Sequence, residues 1–432
     1  MKTIRTWIWG LCLGAAFLVG GQYSTSVCAA NWYKGELHCH SHWSDGNTLP
    51  ELAIDWYRSN GFHFMSLTDH NVLQLDKNKW KEGVDPVLIE ESRKKFGSDF
   101  VETKEENGKT LVRLKTIHEL RDLFNKDGSF LLIPGHEQNT GVAGRTLHAN
   151  AINISESIPF PKDFPSVVEA ALGWRKAALD NATKDGNVGF WMLNHPEWPY
   201  YDVTPEMLIE ASDIEFYEWN ISSPAWYDPI HPDHPTHEKY WDIVNSFRIL
   251  QGKKLIYLVA ADDTHNYRTF KDHGVNPGHG WVGVRSEKLD ANELFGAMKR
   301  GDFYSSTGVE LKDIRFDKET GTLHVEVKPE EGVHYSIRFV GTQKGFDTST
   351  KTFEDPQVGP RKPMRVGTIY SGDIGVTFQT VAGTSASYRM SPDDLYVRAV
   401  ITSTKRPQYR DRNEPQIMTA LTQPYLPPTP LK

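Results

Sequence analysis

From residue 31 to about residue 308 the chain repeats one pattern. A short apolar run ends in a polar cluster, and a longer segment follows whose apolar positions recur every three or four residues. The short runs read as buried strands and the longer segments as amphipathic helices. The runs are those closing at Leu37 and Leu67, then Phe130 to Ile133, Leu147 to Ile152, Val188 to Leu193, Ile214 to Trp219, Leu255 to Val259 and Trp281 to Arg285. Helices are expected from a capping box at Thr48-Leu49-Pro50-Glu51 to Gly61, over Pro86 to Phe96, over Ile117 to Asn125, from Ser166 to Gly186, over His237 to Leu250, and from Asp290 to Gly301. A hairpin should turn at Glu106-Asn107-Gly108. Such alternation predicts an α/β fold of parallel strands joined by helical crossovers, with functional residues at the strands' C-terminal ends.

Near Ser305 the pattern changes. Lys312 to Phe316, Leu323 to Val327, Tyr335 to Val340, Val376 to Thr380 and Tyr396 to Thr402 alternate with period two between turn residues, which predicts a smaller all-β, sandwich-like domain. It carries no cluster of acids, histidines or nucleophiles. Pro424 to Lys432 reads as a disordered tail.

The first thirty residues stand outside both patterns. Lys2 and Arg5 precede an apolar stretch, Trp7 to Gly20, that is short for a membrane span, and small residues follow around Cys28-Ala29-Ala30. This is the layout of a cleavable signal peptide, so a periplasmic or secreted protein without an integral span after leader removal is expected. Cys12 and Cys28 would leave with the leader, and Cys39 alone cannot form an internal disulfide. The core must then carry the fold, for which 432 residues suffice. A formal charge of −8 with no basic cluster argues against nucleic-acid or anionic-membrane partners. The sequence leaves the oligomeric state open.

The residues that end the strands carry the chemistry. Period-two alternation puts His38 and His40 on one face, where two imidazoles can hold one metal ion, and Asp45 lies past the turn within reach of a neighbouring ion. By the same alternation Cys39 faces away, into the core. Later runs close in His70, Glu137, His148, His195, Asp263 and His265. Mixed imidazole and carboxylate ligands suit Zn, Mn or Fe, and two close ions lower the pKa of a water between them.

These strand-end motifs are His38-x-His40 with Ser44-Asp45-Gly46, Thr68-Asp69-His70-Asn71, Gly135-His136-Glu137, His148, Asn194-His195-Pro196 and Asp263-x-His265. Taken in this order they resemble the PHP (polymerase and histidinol phosphatase) family of metallohydrolases over roughly residues 31 to 307. The segment Arg300 to Gly308 is similar to the junction in exported, carbaryl-hydrolase-like members that carry a C-terminal β domain. The resemblance implies a distorted seven-stranded β/α barrel over 31–308, followed by the β domain over 309–423. It implies two to three divalent transition-metal ions: the first on His38, His40, Glu137 and Asp263; the second on Glu137, His148 and His195; the third on Asp45, His70 and His265. Glu137, shared by two ions, and Asp45 would then serve catalysis directly.

Other polar residues have weaker claims. Arg145 could neutralise a substrate phosphate or sit in a rim salt bridge, and Arg268 is a lesser candidate of the same kind. His42 and His136 alternate off the ligand face and read as supporting residues, as do Asp69 and Asp262. His231, His234 and His237 read as a solvated loop. Trp198, Tyr200, Tyr201, Trp219, Trp226 and Tyr227 follow strand ends and could wall a cleft for a small-molecule or sugar-containing substrate. The reading that results is a metal-dependent hydrolase of phosphate mono- or diesters. A carbamate, ester or amide hydrolase on the same ions is the first alternative, and a glycan-binding protein without catalysis is the alternative from another class.

Overall fold

The computed structural model describes residues 31–196, 203–220, 235–270, 275–355, 365–407 and 417–428. The leader-like residues 1–30 lie outside it, as do Trp198, Tyr200, Tyr201, Trp226, Tyr227, His231 and His234. The first half of the described chain runs β1 (Asn31–Glu36), α1 (Pro50–Ser59), β2 (Phe64–Leu67), β3 (Trp80–Glu82), α2 (Pro86–Phe96), β4 (Thr103–Glu106), β5 (Lys109–Arg113), α3 (Ile117–Phe124), β6 (Leu131–Val142), β7 (Arg145–Ile152), α4 (Val167–Lys184) and β8 (Phe190–Leu193). It continues with α5 (Pro205–Glu210), β9 (Phe216–Asn220), α6 (His237–Leu250), β10 (Tyr257–Ala261), β11 (Trp281–Ser286), α7 (Ala291–Lys299) and β12 (Phe303–Ser306). Among the described residues no helix is long and apolar enough to cross a membrane.

Seven strands follow one another as an arc in the order β1, β2, β6, β7, β8, β9, β10. Its two ends meet beyond the strands proper, where Cys39 bridges Thr264 and the His40 amide donates to the Thr264 carbonyl at 2.9 Å. Inward-facing Leu37, Phe64, Ile133, Ile152, Phe190, Phe216 and Val259 cluster with Leu294, Phe295 and Met298 of α7. Outward-facing Leu147, Ala149, Trp191, Tyr217 and Leu258 pack under α4 and α6. Period two along each strand thus splits one apolar run between two cores.

The arc is mixed, which corrects the expectation of parallel strands throughout. β2 pairs in parallel with β1 and β6, and β9 with β8 and β10. β7 instead runs antiparallel to both neighbours. The cause is local: Ala143-Gly144, both at positive φ, turn β6 directly back on itself, so no crossover helix intervenes. A second correction concerns α1. Leu49 is its N-cap and makes no side-chain cap bond, so the expected Thr48 capping box does not form; Pro50 opens the helix and Glu51 accepts from Ser92 Oγ at 2.6 Å.

Beyond β12 come β13 (Leu311–Asp317), β14 (Thr322–Val327), β15 (Tyr335–Gln343), β16 (Lys351–Asp355), β17 (Arg365–Ile369), β18 (Val376–Ala382), β19 (Ser385–Arg389), β20 (Asp394–Ser403) and β21 (Thr419–Thr422). β13, β14 and β19 form a small sheet whose inner face shares a core with Ile337, Phe339, Val397, Ala399 and Ile401 of β15 and β20. The two parts of the chain are not separate sheets, because β12 pairs with both β11 and β21, and β21 with β20. The expected tail is fixed at its start: Tyr425 exchanges two backbone hydrogen bonds with Val397 and stacks on Phe316.

Candidate metal centre

Past β1 the Glu36 carboxylate accepts from the Leu37 and His38 amides at 3.0 and 2.7 Å, and His38 and His40 enter the site while Cys39 turns outward and donates to the Ser66 carbonyl at 3.3 Å. The loop that follows is built around Asp69. Its carboxylate accepts from the Ser41 amide and hydroxyl at 2.8 and 2.9 Å, the Ser44 amide and hydroxyl at 3.1 and 2.8 Å, and Gln74 Nε2 at 3.0 Å. Gly46 is needed there: a Cβ would lie 2.5 Å from the His40 carbonyl group. The loop presents Asp45, the most exposed of the candidate ligands at 56 %. Asp262 works similarly one strand away, accepting from the Gly278, His279 and Gly280 amides and from the Tyr57 hydroxyl.

All nine sequence-predicted metal ligands come together, in three groups: His38, His40 and Asp263; Glu137, His148 and His195; and His40, Asp45, His70 and His265, the first and last sharing His40. His38 Nε2, His40 Nε2 and Asp263 Oδ1 form a near-equilateral triangle with sides of 3.3, 3.1 and 3.1 Å. Glu137 reaches across the middle. Its Oε1 lies 3.5 Å from His38 Nε2 and 3.0 Å from His148 Nδ1, and its Oε2 lies 3.5 Å from His40 Nε2 and 2.7 Å from His70 Nδ1. Asp45 Oδ1 is 3.4 Å from His265 Nε2, and Asp45 Oδ2 is 3.6 Å from His70 Nε2. Glu137 does not end its strand as the pattern suggested; it sits in the middle of β6, paired with Asn150.

Two ligands sit on backbone that side chains rarely adopt, His195 at φ 24° and Asp263 at φ 52°. Strain of this kind costs about 1–3 kcal/mol per residue and persists where surrounding structure imposes it. Here the strained residues are ones that turn a side chain back over the strand ends.

The charge balance is unusual for a protein interior. Burial opposes ionisation of Glu137, and the imidazoles of His70, His38 and His148 outweigh it, holding the carboxyl well below its ordinary range. Burial also works against charge on Asp263 and Asp45, and is overcome chiefly by His38 for the first and His265 for the second. The rings divide. Burial, with His265 and His70 beside it, depresses His40 to about 3, and burial with His148 depresses His195 to about 3. His70 is raised to about 9 because Glu137 and Asp45 outweigh its burial.

These residues fit divalent transition-metal ions. Two ring nitrogens and one carboxylate oxygen converge here on a common point, with Glu137 reaching across from the other side. Ligand atoms about 2.0–2.1 Å from a tetrahedral ion stand about 3.3 Å apart, close to the triangle's sides. The donor set of imidazoles and carboxylates is that of Zn, Mn or Fe.

Several supporting residues were not singled out in the sequence. Glu218 accepts from His38 Nδ1 at 2.8 Å and from the His195 amide at 3.0 Å. Asn194 Nδ2 donates to Glu137 Oε1 and Asn150 Oδ1, both at 2.9 Å, and Asn139 lies 3.1 Å from His70 Nδ1. For Glu218 a signal existed: period two puts it on the inward face with Phe216. Of the other candidates, His42 Nδ1 pins the Gly46 carbonyl at 2.8 Å, and His136 is buried on the face of β6 away from Glu137. Arg145 stands at the β6–β7 turn, on the strand face opposite His148, and Arg268 pairs with Asp85 at 3.4 Å. Trp219 packs against the core under α4 and α6, and His237 opens α6.

No family model matches the sequence, and no curated protein does. Solved structures do resemble the fold. One is a two-domain protein from Bacteroides vulgatus described as containing a predicted PHP-like metal-dependent phosphoesterase, with 15 % identity, 90 % of this chain and 95 % of that chain covered, and a TM-score of 0.39. A protein from Bifidobacterium adolescentis described as a metal-dependent phosphoesterase shares 12 % identity over 54 % of this chain and 87 % of its own, with a TM-score of 0.27. An amidohydrolase from Chromobacterium violaceum, with sulfate bound and no metal, shares 12 % identity over the same 54 % and 87 %, with a TM-score of 0.24. Likenesses this distant say nothing about the reaction. The structures that this chain is similar to are thus PHP-like phosphoesterases and an amidohydrolase.

Proposed function

We propose that the protein is a metal-dependent hydrolase, with the arc of seven strands acting as the distorted barrel that the PHP resemblance implies. The observation that carries this reading is the triangle of His38 Nε2, His40 Nε2 and Asp263 Oδ1, whose sides of 3.1–3.3 Å match the spacing of ligand atoms around one tetrahedral ion. His38, His40, Asp263 and Glu137 would hold one ion, Glu137, His148 and His195 a second, and Asp45, His70 and His265 a third. Ions bound there would supply Lewis acidity and a water acidified towards neutrality. The chain's own part is to place charge. Glu137, fully buried, would offset the charge of two cations with one carboxylate, and Asn194 Nδ2 donates to its Oε1 at 2.9 Å. Asp45, half exposed at the mouth and held ionised by His265, would bring negative charge to the third ligand group at the side open to substrate.

A phosphate mono- or diester is the substrate class proposed first. Carbamates, esters or amides form a second reading, favoured by one observation: Arg268 is already paired with Asp85, and Arg145 projects from the strand face opposite His148. Export rests on the leader-like pattern of residues 1–30 alone. The test is metal analysis of purified protein, then hydrolysis of phosphoester, carbamate and carboxyl-ester panels before and after chelation. About two to three transition-metal ions and chelator-sensitive turnover are expected. Metal-free protein, or turnover unaffected by chelator, would overturn the reading. Arg145→Ala, on the strand face opposite His148, is expected to leave KM unchanged for an anionic phosphoester and a neutral carbamate alike; a rise for the phosphoester alone would place Arg145 at the substrate.

A further inference from the structure

We propose that Glu218 is a positioning residue that holds the His38 and His195 groups of the centre in one frame and leaves the Asp45–His70–His265 group alone. The proposal rests on the metal-dependent reading above and adds to it a residue that belongs to none of the three ligand groups. β9 lies between the strands that deliver His195 and Asp263, with Tyr217 opposite Leu193 and Glu218 opposite Val259. Phe216 faces the inner core, so Glu218, two residues on, must also face inward. There its side chain is fully buried, and its two oxygens do different jobs.

Oε1 lies 2.8 Å from His38 Nδ1. A neutral imidazole that donates Nδ1–H to this carboxylate carries its lone pair on Nε2, the atom facing Asp263 Oδ1 and His40 Nε2. Glu218 thus selects the tautomer that can ligate and fixes the ring's rotation, as carboxylates behind metal-binding histidines do. Oε2 accepts the His195 amide at 3.0 Å. His195 is the residue at φ 24°, and a charge-assisted hydrogen bond to its own amide offsets part of that strain where it arises. One carboxylate therefore sets a side chain in one ligand group and a backbone in the next. The third group is held by other means, through the Asp69-centred loop and Asn139.

The experiment uses the full chain, stripped with chelator and refilled with Co²⁺, whose visible bands report coordination geometry. Wild type, Glu218→Ala, Glu218→Gln and Asp45→Ala are compared by equilibrium dialysis and absorbance. Glu218→Ala is expected to weaken Co²⁺ uptake about 10- to 100-fold at the sites served by His38 and His195 and to shift their bands, leaving one site at wild-type affinity. Glu218→Gln keeps the volume and one acceptor and should fall between Ala and wild type. It decides the matter if the Ala variant does not fold. Asp45→Ala should show the reverse pattern, losing the site that Glu218→Ala keeps. Wild-type affinity and bands in a folded Glu218 variant, or equal weakening at every site, would overturn the proposal. Wild-type protein that takes up no Co²⁺ would instead overturn the hydrolase reading itself.

Discussion

Two regions of this protein bury several charges, and they solve the same problem differently. Where α6 meets β20, Arg398 Nε and Nη2 donate to the two oxygens of Asp242 at 2.8 and 2.6 Å, and the Tyr396 hydroxyl donates to Oδ1 at 2.6 Å. Donors face acceptors, and the guanidinium lies over the Trp241 ring. At the strand ends Glu137 and Asp263 meet six histidines, of which His38, His40, His148 and His195 are buried, and ring nitrogens lie against each other and share carboxylate oxygens. The first arrangement satisfies both Asp242 oxygens and Arg398 Nε and Nη2 within the protein, leaving Arg398 Nη1 without a hydrogen-bond partner among the described residues. The second brings imidazole nitrogens and carboxylate oxygens from separate strands onto common points with the spacing of metal ligands. Burial of charge, then, does not by itself mark a functional site; the convergence of several ligand-type side chains on shared points does.

The strongest way to break this contrast is Glu137→Gln, which keeps size and removes the charge shared between two ligand groups. Metal analysis and kinetics on one preparation should show lost occupancy and turnover near background. Full occupancy with near-normal turnover would end the shared-ligand assignment. Next in size is Arg398→Ala. It strands a buried carboxylate and should cost about 3–5 kcal/mol in denaturant unfolding, without altering metal content of the folded protein. Arg398→Met combined with Asp242→Leu should recover most of that loss, since an apolar pair removes the desolvation cost along with the attraction. The smallest effect is expected from Tyr396→Phe, about 1–2 kcal/mol, because Asp242 keeps both guanidinium contacts. A metal change in either junction variant would mean that the two regions are coupled.

Period two carried much of what could be read without coordinates. It placed His38 and His40 together and Cys39 away from them, and it made the short runs strands. The same rule, applied to Phe216 and Glu218, would have placed Glu218 inward, but an isolated glutamate in an apolar strand says nothing about which ring lies behind it. Arg398 and Asp242 were equally silent: they are 156 residues apart, and no local pattern couples a helix charge to a strand charge at that separation.

The sequence by itself determined the strand and helix character of most of residues 31–308, the change to short β segments near Ser305, and the order of the strand-end histidines and acids. Those depend on periodicity and turn chemistry, which act over a few residues. Tertiary structure alone decided the meeting of the arc's ends at Cys39 and Thr264, and the joining of the C-terminal strands to the same sheet through β12 and β21. Each of these is a choice of partner between segments distant in sequence. The hydrophobic pattern of a strand fixes which face is buried, but leaves open which neighbour completes its hydrogen bonds and in which direction that neighbour runs.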